Sequence, residues 1–425
     1  MSKPRKRSLG EGIQGVKLSE FASSNRYYLS EWLMPVMVFA WSGMFVFSAI
    51  DFSMSVVTLC TAHPDHLSRV DLPSAMAAWD GRWQVDIIRH GYQRKINWQD
   101  LNPAAFPPLY PLISSVLCKL GLREETALLL VSNTAFLGFL IVLYCYCRER
   151  GINKRWATIG IAFVALSPFS YFFRMAYTES LFCLLAACLL LGIQQNWNPW
   201  GLAAIVACAG ATRVVGVTLI PVLGIAAFLY YAGQRFRYLR TVVVSLIGGV
   251  GFVAFMVHLH FMQGNALAMF EAQKGWTIRP EGSFLEQILH AVSGQPLWDA
   301  YQSDCRCYWG NSPPRDLPLF NMQFWNPIVL VLCGSLMVIG WRFSVLRWFE
   351  LLYCFVVIGV PYFTQGYRIC LHSQSRYALA AFPLAFVVIW GLRRFDQSAI
   401  WILLTLNAIL LFGNTAMFIG WYFNY

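Results

Sequence analysis

The sequence predicts an all-α polytopic membrane protein. Three observations lead there: sparse charge, a series of apolar stretches near spanning length, and basic residues gathered in short clusters between them. Of 425 residues, 57% are hydrophobic and 12% are charged, against about 25% charged in a soluble domain. That leaves too little polar surface to cover a soluble particle of this size. Aromatic residues make up 16%, which suits belts of Trp and Tyr at the membrane boundaries. In a soluble chain the net charge of +11 would raise nucleic acid as a partner. Here the basic clusters read as topology, because cytoplasmic loops collect Lys and Arg. No nucleic-acid partner is expected.

Residues 1–30 read as a basic cytoplasmic tail, opening with Lys3, Arg5, Lys6 and Arg7 and showing no cleavable signal peptide. Residues 31–425 read as one transmembrane domain. Apolar stretches fall at roughly 32–60, 126–147, 156–173, 180–195, 199–212, 214–232, 241–262, 326–342, 348–364, 376–392 and 399–420. Most approach the ~20 residues needed to cross the hydrocarbon, so the count is about eleven helices. The stretch 106–122 is short and proline-rich. If it crossed, Arg148, Arg150, Lys154 and Arg155 would lie outside, so it is expected to be re-entrant or interfacial. With that choice the clusters at 148–155, 235–240, 342–347 and 393–394 all fall inside. The N-terminus is then cytoplasmic and the C-terminus outside, with two large outer loops at about 61–125 and 263–325.

Most of the twelve cysteines lie inside apolar stretches, where cysteine behaves as a small hydrophobe. Cys60, Cys305, Cys307 and Cys370 fall in or beside outer loops. A disulfide among them is open, and sequence alone leaves its connectivity open too. Cys305-Arg306-Cys307 is a poor match to zinc spacing, and no metal site is assigned.

Two segments carry chemistry-bearing residues at the outer face. The first loop holds Trp79-Asp80-Gly81-Arg82-Trp83, then Asp86, His90 and Tyr92. A carboxylate between tryptophans can accept a sugar hydroxyl proton while the rings pack on the sugar. A solvated aspartate among interfacial tryptophans would look the same. The turn Ser167–Ser180 carries Arg174 and Glu179; its plain reading is a helix start capped by Thr178 or Ser180.

These segments together resemble one family. WDGRWQVDIIRHGY is similar to the WD-x(n)-GY signature of PIG-V-type mannosyltransferases, which add the second mannose in GPI-anchor synthesis and have bacterial relatives. AFPPLYPLI, SPFSYFFRMAYTESLF, the segment at Ala211–Gly216, and Gln374–Tyr377 with Pro383 resemble further motifs of that family, in the same order. The chain departs from it at Arg82, Gln84 and Pro108 and through much of the second outer loop, which puts the acceptor in doubt more than the reaction.

The resemblance implies a GT-C membrane glycosyltransferase with an outer-face site. Its donor would be a lipid-linked sugar, polyprenyl- or dolichyl-phosphate mannose, and no further cofactor is implied. Inversion at the anomeric carbon would use Asp80 as general base, with Asp86 in reserve. Trp79, Arg82, Asp86 and Tyr92 would line the substrate site. Arg376, Arg213, Arg174 and His372 are the candidates for the donor phosphate, and Glu179 would orient an arginine or bind an acceptor hydroxyl. The acceptor is a glycan, glycolipid or protein. A bacterial plasma membrane is favoured over the endoplasmic reticulum. The competing readings are a transporter or flippase of lipid-linked sugars and a non-catalytic subunit of a glycosylation complex.

Overall fold

A computed structural model describes residues 29–57, 71–92, 102–279, 282–312 and 314–420. The basic tail through residue 28, Cys60 and parts of the first loop lie outside the described residues. Among those described there are α-helices and short 3-10 or π turns and no strand.

In chain order the helices are α1 (Leu29–Phe52), α2 (Leu72–Met76), α3 (Asp80–His90), α4 (Leu109–Lys119), α5 (Glu124–Glu149), α6 (Lys154–Ala165), α7 (Glu179–Gln194), α8 (Pro199–Thr212) and α9 (Ile220–Tyr230). They continue with α10 (Arg237–Gln263), α11 (Ala268–Ala272), α12 (Phe284–Val292), α13 (Gln295–Asp299), α14 (Met322–Arg342), α15 (Trp348–Pro361), α16 (Gln374–Ala380), α17 (Leu384–Leu392) and α18 (Gln397–Ile419).

Local chemistry sets many of their starts. Asn153 Oδ1 accepts from Trp156 N at 3.0 Å and Asp396 Oδ1 from Ala399 N at 2.8 Å, each satisfying a backbone donor that a helix start leaves free. Asn198 caps α8 ahead of Pro199, whose missing N–H costs nothing there.

Among the described residues, six stretches are long and apolar enough to cross a bilayer: Glu31–Val56, Glu124–Glu149, Arg237–Gln263, Met322–Arg342, Trp348–Gly366 and Gln397–Ile419. The chain is thus a multi-pass α-helical membrane protein. A seventh crossing would be α16 and α17 taken together, bent by 79°. The other four of the eleven expected stretches fall on shorter helices. α6 has 12 residues, about 18 Å of rise against ~30 Å of hydrocarbon. The stretch expected to run from 156 to 173 ends as an α-helix at Ala165, before Ser167-Pro168, because the residue preceding a proline disfavours helical backbone. α4, in the stretch expected not to cross, has 11 residues.

The core sits where α5, α6, α7 and α15 meet, around Phe136, Phe139, Phe173, Tyr353 and Phe382. α8 crosses α10 closely at Gly251, where a Cβ would lie 2.0 Å from Ala207 O; glycine permits that contact between membrane helices.

Three basic clusters converge at one end. Arg150 pairs with buried Glu350 at 2.7 Å, Arg148 lies 3.6 Å from Glu31, and Arg393 sits over the Trp156 ring. The cluster at 235–240 makes local contacts, such as Arg237 Nε donating to Phe228 O. α5 runs 26 residues away from that end, about 39 Å, to Glu124, which pairs with Arg89 of α3. The residues of interest lie at this second end, called the site end below. Of the four outer-loop cysteines, the structure joins Cys307 to Cys370 and leaves Cys305 as a thiol.

Candidate functional site

Asp80 and Glu179 each open a helix, α3 and α7, where a negative charge meets the positive end of the helix dipole. The two starts are bound together. Ala176 N donates to Met76 O at 3.1 Å, Tyr177 Oη donates to Ala78 O at 3.3 Å, and Gly81 packs on Ala176. Trp79, just before Asp80, holds φ at 57° and ψ at −118°, a backbone that costs a non-glycine residue energy and recurs at functional sites. Capping does not account for the second start. Thr178 makes no cap hydrogen bond, and Ser180 Oγ donates to Phe173 O.

Two arginines arrive from elsewhere in the chain. Arg213 occupies the break after α8, extended at φ −148° and ψ 146°. Gly216 lets the following 3-10 turn fold back on α8, since a Cβ there would lie 2.2 Å from Ala209 O. Arg376 lies in the first turn of α16, just after three residues with positive φ, Cys370, Leu371 and Ser373.

The four side chains form one cluster. Arg213 Nη1 lies 2.5 Å from Glu179 Oε1. Arg376 Nε donates to the same Glu179 oxygen, and its Nη1 donates to Asp80 Oδ2. Arg376 thus bridges the two carboxylates. Its guanidinium carbon is 4.5 Å from the Tyr177 ring centre and 5.3 Å from that of Phe172, a cation–π setting. Glu179 is 3% exposed and Asp80 24%. Burial acts to raise the Glu179 pKa, but the arginine charges prevail and hold the carboxyl below its usual range. Glu179 Oε2 accepts no hydrogen bond among the described residues. Beside it lies a small pocket walled by Phe182, Val215, Val357 and Tyr377 together with both arginines. Two cations balance two carboxylates, so the cluster is near neutral.

Other expected site residues fall elsewhere. Arg174 is buried behind the turn. It donates to Asn133 Oδ1 at 3.1 Å and Ser42 Oγ at 3.0 Å and lies over the Phe39 ring, pinning α1 to α5. Burial lowers its pKa to about 10, still charged at pH 7. Asp86 pairs with His90 Nδ1 at 2.9 Å, and Arg82 lies on the exposed face of α3. Tyr92 is buried against Phe255 and His258 and donates to Phe106 O at 2.7 Å, fastening the end of α3 to α10. Burial pushes the His372 imidazole down to about 4, so it is neutral at pH 7 and offers a phosphate no charge.

The structure adds supporting residues that sequence reasoning missed. Tyr110, in the proline-rich segment, bonds Leu128 O at 2.9 Å and Ser132 Oγ at 2.7 Å; Ser132 Oγ donates to Tyr177 O at 3.0 Å. Asn326, buried in α14, accepts from Ser375 N at 2.9 Å and Ser375 Oγ at 2.8 Å, next to Arg376. Gln323 donates to Cys370 O at 2.5 Å, beside the disulfide. An asparagine opening an apolar stretch was the available signal for this latch, because polar groups at such places are costly unless used.

No family model matches the chain. A 92-residue stretch, 21% of the chain, is 32% identical to Protein LiaI of Bacillus subtilis (strain 168) and covers 71% of that protein. Over that fifth of its length the chain belongs with Protein LiaI, and the other four-fifths lies outside the match.

Proposed function

We propose that this chain is a membrane glycosyltransferase of the GT-C class, transferring a sugar, mannose by resemblance, from a polyprenyl-phosphate donor to an acceptor hydroxyl with inversion. The observation that carries the reading is the meeting of Asp80, Glu179, Arg213 and Arg376. They come from four separate segments that resemble motifs of PIG-V-type mannosyltransferases, and they form one ion-pair cluster beside a pocket.

In this reading the acceptor oxygen attacks the anomeric carbon as Asp80 takes its proton. The carbon–oxygen bond to phosphate breaks, and the lipid phosphate leaves as an anion that needs no proton. One base therefore suffices, unlike the carboxylate pair of a glycosidase. The leaving anion is stabilised by Arg376 and Arg213, whose planar forks match phosphate oxygens. Glu179 holds both arginines in place. Because the cluster is already charge-balanced, the phosphate takes Arg376 in competition with Asp80, which frees the Asp80 carboxylate for the acceptor. The reading also carries the eleven-crossing topology, a cytoplasmic N-terminus, and a site facing the outside of a bacterial plasma membrane or the lumen of the endoplasmic reticulum.

The test is transfer by purified protein in nanodiscs, with radiolabelled polyprenyl-phosphate mannose and a panel of acceptors. Wild type transfers label, and Asp80→Asn loses about 10²–10⁴-fold in kcat with unchanged thermal unfolding. An Asp80→Asn protein that turns over normally removes the base. Donor movement across the bilayer without transfer supports a flippase instead.

A further inference from the structure

The segment between α10 and α14 holds a helix whose outward face has no partner among the described residues. On α12, Leu285, Leu289 and Val292 are 65%, 59% and 70% exposed. Their spacing of four and three residues puts them on one face. Trp298, on the adjoining α13, is 66% exposed. The inward face is anchored. Ala291 O accepts from Tyr362 Oη at 2.7 Å, and His290 stacks on Tyr367 at 4.3 Å. Ser283 and Glu286 form a capping box, so the helix start satisfies its own backbone without help from water.

We propose that α12 lies in the membrane interface, with Leu285, Leu289 and Val292 among the lipids and Trp298 at the headgroup level. What covers the face is indicated by what lies beneath it. Ala291, Leu297 and Leu371 pack with Leu330 and Phe363, which belong to two of the membrane-crossing stretches. Leu330 is eight residues into α14, about 12 Å from its start, so α12 rests on the flank of that helix. The next residues on α14, Val331 and Leu332, are themselves outward-facing, and the apolar face of α12 extends this lipid-facing surface. A helix with one apolar face and a capped start is suited to lie in the plane of the interface. The inference is independent of the proposed transferase activity.

The test uses the full chain in nanodiscs whose phospholipids carry radiolabelled acyl chains. A photoreactive benzoylphenylalanine is encoded singly at 285, 289 or 292. Val331 serves as the lipid-facing reference and exposed Asp304 as the aqueous one. Light-driven lipid labelling at the three positions is expected at about fivefold or more over Asp304 and near that at Val331. Labelling no greater than at Asp304 overturns the proposal, and so does capture of a second copy of the chain in place of lipid.

Discussion

Two buried carboxylates, Glu350 at the basic end and Glu179 at the site end, occupy opposite kinds of environment. Glu350 is fully served by the protein. Arg150 Nη1 reaches both of its oxygens at 2.7 Å, Arg347 N donates at 2.7 Å, and Tyr146 Oη donates as well. Glu179 shares one oxygen between two arginines, and its other oxygen has no donor among the described residues. It borders a pocket, while Glu350 is sealed at 0% exposure. Buried polar groups are normally satisfied, so an unserved one asks for an explanation. A closed set of hydrogen bonds holds helices together; an incomplete one beside a pocket leaves an acceptor to be served, which the proposed function assigns to substrate binding.

The largest effect that would break this comparison is on stability. Glu350→Gln should strand the Arg150 charge and cost about 3–5 kcal/mol, read as a drop in thermal midpoint; on the proposed transferase reading, donor KM stays unchanged in protein that remains folded. A Glu350→Gln protein as stable as wild type would erase the distinction between the two ends.

Arg376→Lys comes next. It keeps the charge but loses the fork that joins Asp80 and Glu179, so donor KM should rise about 10–100-fold while unfolding changes little. A lysine variant with wild-type donor kinetics would mean that charge alone matters there.

Asn326→Ala sharpens the comparison by asking whether Arg376 needs its latch. Loss of the two Ser375 hydrogen bonds should raise donor KM about tenfold, and Asn326→Asp, which still accepts both but loses the donation to Gln323 Oε1, should restore it only in part. In an Arg376→Ala background the Asn326→Ala change should add almost nothing; full additivity would show that Asn326 acts elsewhere.

The smallest effect concerns His372. Its folded pKa, about 4, lies below the 6.5 of an ordinary histidine, so the unfolded chain binds more protons between those values. Its contribution to stability is complete above pH 6.5 and declines as pH falls toward 4. His372→Gln should flatten the thermal midpoint across that window, and an unchanged acid slope would place the titrating group elsewhere.

Much of the charged cluster was legible because ionisable side chains at the ends of apolar stretches are rare unless paired or used. That signal picked out Arg213 and Arg376, while Asp80 and Glu179 came from motifs, a carboxylate between tryptophans and a helix-opening turn. The same signal picked out Arg174, which the structure instead surrounds with carbonyl, hydroxyl and amide groups and aromatic rings. Those partners occur throughout any membrane sequence and leave no local mark. Gln323 and Asn326 left only a faint mark for a related reason: uncharged polar residues disturb hydropathy little. Four outer cysteines left the pairing open, and only folding brought Cys307 to Cys370.

From the sequence alone came the membrane class, the helical architecture, the approximate places of the helices and the gathering of charge at their ends. Each follows from local composition, because transfer of apolar and charged groups into lipid is governed residue by residue along a span. Which charges meet was decided by the tertiary structure. Arg376 lies 197 residues from Glu179 and 296 from Asp80, and no pattern along the chain encodes that encounter. It depends on how the helices pack, on the break at Arg213, and on the latch at Asn326. Ion pairing acts over a few ångströms, a distance the sequence does not measure.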